Sequence, residues 1–472
     1  MAFLIGGANS ASAAGGFSVA NSVRFNDGDS PQLHRDQPGA PTSTTIFTWS
    51  GWFKLGSSTS QITLASSFTS GSVYDQIKIM SLATHGQVLR IEAGSNEGNA
   101  IDLKANANLR DPTAWYHLVL AVDTSQGVAA NRDKVYLNGT QITSWATETH
   151  STQNDTWHMN TNGKTIKVGV YDNGTPQDFF DGYLAEVVQI DGQQLAPTSF
   201  GEFDEDSPTI WKPIDVSGLT FGNNGYYMDF EDSSALGNDV AGKGDFTVAN
   251  LAAADQATDT PTNNFCTMNP LSNFLAGATF SEGNCHIATV AGNSTFVQGT
   301  FGLSSGKWYW EAKNTAGSSL YNDIGISSVP STSAGSDYIG YTANGWGYQG
   351  VDGKKANSNS RTAYGNTFAV NDIISVSLNL DDNELKFYIN GTVQNSGTAI
   401  SIAAASATPS GVWMAAVGDA YNQSVGWSMN FGGSPAFTVS SGNADGNGYG
   451  NFEYAVPSGF YSLCTKNLAE FG

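Results

Sequence analysis

One short hairpin phrase occurs twice in this chain. His117-Leu-Val-Leu-Ala-Val-Asp123 leads to Lys134-Val-Tyr-Leu-Asn-Gly-Thr140, and about 250 residues later Ile373-Ile-Ser-Val-Ser-Leu-Asn-Leu-Asp381 leads to Lys386-Phe-Tyr-Ile-Asn-Gly-Thr392. In each copy an alternating apolar run ends at an aspartate, and a second β-rich run ends in Asn-Gly. That dipeptide most readily takes the positive φ angles of a tight two-residue turn. Two such hairpins so far apart predict two separate β-sandwiches.

Composition supports an all-β reading with two tandem antiparallel sandwiches. A chain of 472 residues is long enough for two domains, and 54 glycines, 11% aromatic and only 13% charged residues do not suit a helical protein. Forty-two acidic against 20 basic residues give a net charge of −22, which repels nucleic-acid phosphate and anionic membrane surfaces. Neutral glycans, cations and other protein surfaces are the expected partners, with no nucleic acid and no membrane insertion.

Cys266, Cys285 and Cys464 form no CxxC and have no histidine at ligand spacing, so no zinc site is indicated. A single Cys266–Cys285 bridge stays open. The start of the chain has no cation before Arg24 and an apolar run too short for a secretory core, so no signal peptide is expected. No run approaches the ~20 apolar residues of a membrane span.

The first module is read over residues 18–249. In Phe47-Thr-Trp-Ser-Gly-Trp-Phe-Lys54, Phe47, Trp49, Gly51 and Phe53 share one strand face, and Thr48, Ser50, Trp52 and Lys54 the other. Aromatics on both faces predict a sheet covered on part of each. "FTWSGWFKL", "WYHLVLAVD", "VYLNG" and "FFDGYLAEVVQIDG" together resemble the laminin-G-like, concanavalin-A-like jelly roll. That family includes lectins, adhesion modules and glycan-cleaving enzymes, so the resemblance implies a surface-recognition scaffold without naming a ligand.

Residues 250–275 read as an extended connector with apolar handles at Phe265, Met268, Leu271 and Phe274. The second module is read over residues 276–472. In its hairpin Ile374, Val376, Leu378 and Leu380 face one way and Ser375, Ser377 and Asn379 the other, which predicts one side turned to solvent or a partner. "KWYWEAK", "IGIS", "NDIISVSLNLDDNELKFYING", "MNFGG" and "YAVPSGF" resemble a SPRY domain, a sandwich used for protein recognition. The polar segments 357–366 and 442–451 depart from that pattern and are where recognition loops are expected.

Residues 1–17, small and uncharged, read as an anchoring arm that orders against another surface. Arm, laminin-G-like sandwich, connector and SPRY-like end in one charge-poor chain resemble virion structural proteins of marine bacteriophages. The resemblance implies an extracellular, virion-surface protein of tail-fibre or adhesin type. Its arm would hold other virion proteins, and its sandwich loops would meet a host-surface glycan or protein without covalent chemistry. A capsid decoration or head-fibre protein and a jelly-roll glycan-degrading enzyme are the alternatives. With neither heptads nor a β-helical repeat, a homo-oligomer would have to be built by the sandwiches themselves or by a partner.

Several residues carry candidate chemistry. Trp52, Trp157, Tyr171, Trp346 and Tyr348 could stack on a sugar face. Asp172, Asp178 and Asp181, around Asn173-Gly174, could supply some of the six to eight oxygens that calcium takes, although a hairpin turn with solvated aspartates is the simpler reading of them. Glu202, Asp204 and Asp206 would point the same way on a strand, as a glycosidase carboxylate set does. Pro208 follows, however, and the segment reads as a solvated acidic turn. The six histidines show no HExxH and no nucleophile arrangement. Gly345-Trp-Gly-Tyr-Gln-Gly350 lacks the Lys-Ser/Thr ending of a phosphate loop and reads as an aromatic β-turn.

Overall fold

A computed structural model describes residues 4–5, 16–56, 61–70, 73–82, 86–94, 101–275, 277–292, 294–317, 321–332, 337–421 and 423–472. Both copies of the repeated phrase form the same object. Trp115–Asp123 pairs antiparallel with Asp133–Leu137, and Asn138 (φ 47°) and Gly139 (φ 76°) turn the chain so that Leu137 faces Thr140. Ile373–Asn379 pairs with Glu384–Ile389, and Asn390 (φ 47°) and Gly391 (φ 77°) bring Ile389 opposite Thr392. The asparagine also ties the turn to the start of the preceding strand. Its Oδ1 accepts the backbone N–H of His117 at 2.8 Å in the first copy and that of Ile373 at 2.9 Å in the second.

The chain divides into two units, Ala11–Thr262 and Asn263–Gly472, the second including the short strand Leu4–Ile5. That strand pairs in parallel with Phe301–Gly302. The rest of the expected arm, residues 1–3 and 6–15, lies outside the described residues, and Phe17 packs in the first unit against Trp52, Trp115 and Tyr183.

In the first unit two sheets, each of eight strands among the described residues, face one another. One runs Thr140–Gln141, Asp133–Leu137, Trp115–Asp123, Ile46–Leu55, Gly182–Asp191, Ser22–Phe25, Gln256–Ala257, with Tyr226–Met228 also on Gly182–Asp191. The other runs Trp145–Thr149, Ile101–Leu109, Gly86–Gly94, Val73–Leu82, Ile62–Ser70, Thr165–Val168, Gln32–Asp36, Thr247–Ala249. Phe47, Trp49, Phe53, Leu118 and Leu120 meet Ile77, Ile79, Ile91 and Leu103 between them. Each large side chain so buried contributes roughly 1.5–3 kcal/mol.

As the aromatics of Phe47 to Lys54 predict, the opposite face of the first sheet is covered as well. Val119, Ala121, Val188 and Ile190 lie under Phe200, Val216 and Phe221. Lys54 and Asp259, each 1% exposed, pair at 2.7 Å, and the Trp115 indole donates to the same carboxylate at 3.0 Å. The first part of the expected connector is therefore built into the sandwich, through Gln256–Ala257 and Asp259. Its second part is built into the other unit, where Phe265 and Met268 are buried while Leu271 and Phe274 stay exposed.

The second unit has a nine-stranded and a six-stranded sheet among the described residues. Trp308, Trp310, Val376 and Trp427 of the larger sheet pack with Ile324, Ile326, Tyr348 and Trp413. The expected solvent-facing side of Ile373–Asn379 is not solvent-facing: Ser375 and Ser377 are each 1% exposed. Alternation reports only that the two faces differ in polarity. Here the C-terminal segment folds over the polar face, with Tyr461–Ser462 pairing alongside Trp308–Tyr309 and Phe452 edge-on to Tyr309 at 5.1 Å. Glu311 holds it down, accepting hydrogen bonds from Tyr454 N (2.8 Å), Glu453 N (2.9 Å), Tyr309 Oη (3.0 Å) and Asn430 Nδ2 (3.2 Å). Cys266, Cys285 and Cys464 are all free and buried, without a bridge.

Candidate functional site

In the first unit, residues that alternate with the core positions of the second sheet form a polar ladder on its outer face. The Arg90 guanidinium grips Asp102 bidentately (Nε and Nη2, both 2.8 Å) and reaches Glu92 at 2.8 Å, and Glu92 also pairs with Lys78. Fork geometry of this kind fixes the orientation of both carboxylates. Gln76 donates to Thr63 at 2.7 Å beside it. The hairpin Tyr171–Asp172 to Pro176–Gln177 brings Tyr171 against Tyr74, 5.6 Å between centroids, and Phe68, 6.4 Å. Asp178 (φ 53°) accepts from Gln61 at 2.6 Å. Burial raises the Asp178 pKa, opposed by the Gln61 bond and the charge of Lys78. Burial likewise pushes the Tyr171 phenol up to about 12. The ladder offers balanced charge, many donors and acceptors, and two tyrosine rings.

Of the five aromatic residues that the sequence offers as sugar platforms, Tyr171 alone joins this ladder. Trp52, Trp157 and Tyr348 are corrected, because burial leaves no ring face for a ligand. Trp157 packs on Phe47 at 5.6 Å, Trp52 stacks on His117 at 4.6 Å, and Tyr348 sits in the second core against Phe387 at 5.1 Å. The expected aromatic turn is instead the strand Gly345–Gln349, paired with Asn322–Ser327, which sends Tyr348 inward. Trp346 is half-buried beneath the Lys355 ammonium, 5.8 Å from its ring.

For calcium, Asp172 is engaged by Lys167 and by the Gly174 N–H at 2.8 Å, Asp178 by Gln61, and Asp181 is buried beside Gly56. These three do not form a metal-holding group, nor does any set of three acidic, His or Cys residues among the described ones. Of the expected acidic turn, Glu202 instead lies in the strand Gly201–Phe203, paired with Trp211–Pro213, and only Asp204 to Asp206 bends: buried Asp204 accepts the N–H groups of Asp206 and Ser207, and Lys212 lies 3.3 Å from Asp204 and 3.4 Å from Glu202.

Behind the first sheet lies an arrangement that the sequence did not reveal. His117 Nε2 meets Ser50 Oγ at 2.8 Å, while its Nδ1 accepts the Trp211 indole N–H at 2.9 Å. Burial pushes His117 down to about 3, so the ring is neutral, and with Nδ1 accepting, its proton sits on Nε2. Nε2 therefore donates to Ser50 and takes no proton from it. Nearby, a bulge in Gly182–Asp191 places Glu186 at φ 50° among Ser50, Trp52 and Phe200. Its carboxylate accepts from Tyr227 Oη at 2.7 Å, and burial raises its pKa to about 8.

The second unit presents tyrosines. Asp323, Gly325, Gly345, Gly347 and Gly418 lie on the face of the six-stranded sheet away from the core, and Ile339 packs there on Phe296 and Ala416. The closeness requires glycine: a Cβ at Gly347 would stand 2.5 Å from the Ile339 carbonyl oxygen. Asp323 is buried in this layer, and desolvation holds its pKa well above the carboxylate range. Around it Tyr321 and Tyr421 meet at 4.5 Å and Tyr338 and Tyr341 at 5.6 Å, with Tyr341 and Tyr421 exposed. Arg361 reaches the Tyr421 hydroxyl at 3.4 Å and Asp352 at 3.1 Å, and Tyr338 donates to Asn359 at 2.9 Å. Tyrosine and arginine over a rigid sheet are the residues that dominate recognition surfaces. Scattered through loops, these tyrosines carry no periodicity that a sequence reading could use.

Comparison with known proteins agrees with both units. Residues 26–192 match the family described as the concanavalin A-like lectin/glucanases superfamily, and residues 307–433 match the SPRY domain. The chain thus carries a laminin-G-like, concanavalin-A-like domain followed by a SPRY domain. No curated protein matches the chain. Among solved structures, the SPRY domain of human HERC1 is 15% identical, covering 34% of this chain and 96% of that one at a TM-score of 0.28. A heptameric SAP-like pentraxin from Limulus polyphemus is 16% identical, covering 38% of this chain and 80% of that one at a TM-score of 0.29.

Proposed function

We propose that this chain is a non-enzymatic recognition protein of tail-fibre or adhesin type on a bacteriophage particle, binding host-surface glycan or protein. The observation that carries the recognition reading is the pair of outward-facing sites built on rigid sheets: the Arg90 ladder with Tyr74 and Tyr171, and the tyrosine face around Arg361. Both bind by contact. The ladder carboxylates are held by Arg90 and Lys78 rather than free to flank a glycosidic bond, and Ser50 has no base to activate it. What supports the virion assignment is the order of modules and the small share of charged residues, 13% of the chain.

The test is adsorption of purified protein to candidate host cells, together with cryo-electron microscopy of the particle. Saturable binding that competes with the phage, and density at the tail, are expected; absence from the particle overturns the virion assignment. A capsid decoration protein is the second reading, favoured by exposed Leu271, Phe274 and Val290, apolar groups that a shell would cover. Density spread over the head would select it.

A further inference from the structure

We propose that an open, uncharged cleft in the second unit binds a neutral, hydroxyl-rich glycan; this rests on the recognition reading above and assigns it a third site. The cleft, about 570 Å3, lies between residues 363–366 and 392–396. It is distinct from both the ladder and the tyrosine face.

The floor is fixed by one carboxamide. Gln394, 4% exposed, accepts the Asn366 N–H at 3.0 Å through Oε1 and donates to the Thr392 carbonyl at 2.8 Å through Nε2, so it clamps the two walls together. Tyr348 donates to the Asn366 carbonyl, and the Tyr364 hydroxyl accepts the Phe387 N–H at 3.2 Å, which anchors the first wall to the core. A pre-organised floor of this kind lowers the ordering cost of binding.

The rim is where a ligand would be met. Asn366, Thr392 and Ser396 are exposed, and among the described residues their side chains make no hydrogen bond to protein. The second wall ends in three successive left-handed residues, Asn395 (φ 53°), Ser396 (φ 51°) and Gly397 (φ 80°). For the two that are not glycine this costs about 1–2 kcal/mol each, a strain that proteins keep where a surface has to hold a set shape.

Ligand chemistry follows from what the lining contains. No charged side chain lines the cleft, so an anion finds no counter-charge and a cation no carboxylate. Carboxamides and hydroxyls each offer donor and acceptor together, matching sugar hydroxyls, which need both. Small-molecule pockets are mostly apolar, and this one is not, which favours a hydrated polyol.

The test is calorimetry on the full chain with mannan and dextran oligosaccharides, and alginate oligosaccharide as the charged counterpart, at low and high salt. Binding of a neutral oligosaccharide that is indifferent to salt and weakened roughly tenfold or more by Asn366→Glu is expected. Thr392→Val, also at an exposed position, should weaken it less, and thermal melting should show both variants folded. Binding of alginate alone, or neutral binding untouched by both variants, overturns the cleft. If neutral binding survives Asn366→Glu but is lost in Tyr171→Ala, the cleft fails while the recognition reading stands. If no oligosaccharide binds and the protein also fails to adsorb to host cells, both fail.

Discussion

The two copies of the repeated hairpin share their turn, their register and the asparagine that ties the turn down, yet their second faces are roofed by opposite chemistry. In the jelly roll the outer face of Trp115–Asp123 carries His117, Val119 and Ala121 and is covered by apolar and aromatic groups, with His117 between Trp52 and Trp211. In the SPRY unit the outer face of Ile373–Asn379 carries serines, and the covering C-terminal segment is held through the Glu453 and Tyr454 N–H groups on Glu311, which Tyr309 and Asn430 of the sheet orient. A local strand–turn–strand signal thus specifies the hairpin and leaves open what is laid over it. Outer layers come from distant chain, and each unit solves the burial of polar groups in its own way.

The largest test of this contrast removes one roof anchor from each unit. Asp259→Ala removes the carboxylate that pairs with buried Lys54 and should cost about 3–5 kcal/mol, read by denaturant unfolding. Glu311→Ala strands the donors of Tyr454, Glu453 and Asn430 and should release the C-terminal segment, seen as faster hydrogen exchange at residues 450–462 with the inner core still protected. Equal, global loss of protection in both variants would erase the distinction between an apolar roof anchored by one charge pair and a hydrogen-bonded one.

Titration separates the units next. His117, near 6.5 unfolded and about 3 folded, binds its proton only in the unfolded chain between those values, so jelly-roll stability rises with pH there. Glu186, near 4.5 unfolded and about 8 folded, binds its proton only in the folded chain between those values, so stability falls with pH there. Each slope is about 1.4 kcal/mol per pH unit at most. The two groups oppose one another across their overlap, giving a plateau from about pH 4.5 to 6.5, with loss on the acid side from His117 and on the alkaline side from Glu186. Glu186→Gln should abolish the alkaline loss in jelly-roll unfolding and leave the acid limb. An unchanged profile would mean that the carboxyl reaches water.

Asn138→Ala and Asn390→Ala sharpen the shared part of the comparison. Each removes one bond to a strand N–H and places alanine at positive φ, for a cost of about 1–2 kcal/mol in each unit. Matching losses are expected because the geometry matches. The smallest effect on folding should come from the outward sites. Tyr421→Ala and Tyr171→Ala should change stability by only about 0.5–1 kcal/mol, and their effect should appear in adsorption to host cells.

The sequence determined what depends on neighbours along the chain. Asn-Gly can take two positive φ angles in succession, so both hairpins were legible down to their turns. The aromatics on both faces of Phe47 to Lys54 were enough to predict a sheet buried on both sides, and the motif orders were enough to separate two sandwiches. The departure of 357–366 from the SPRY pattern pointed to a recognition loop, whereas most of the segment is a hairpin in which Ser360–Ala363 pairs with Lys354–Asn357, and only its end forms a wall of the neutral cleft.

Tertiary structure decided everything that depends on what lies across a sheet. Ser375 and Ser377 look solvent-facing in sequence and are covered by chain some 75 residues downstream. Trp52, Trp157 and Tyr348 have the chemistry of sugar platforms and are core: Trp52 and Tyr348 because a ring on a strand faces whichever side the register selects, and Trp157 because the turn before His158–Asn160 packs it on Phe47. Tyr171 and Asp178 were legible as candidates, but the ladder that they join needs Arg90, Glu92 and Asp102 from three further positions in the chain. Periodicity records the face on which a side chain stands; only packing records whether that face meets solvent, a ligand or the rest of the protein.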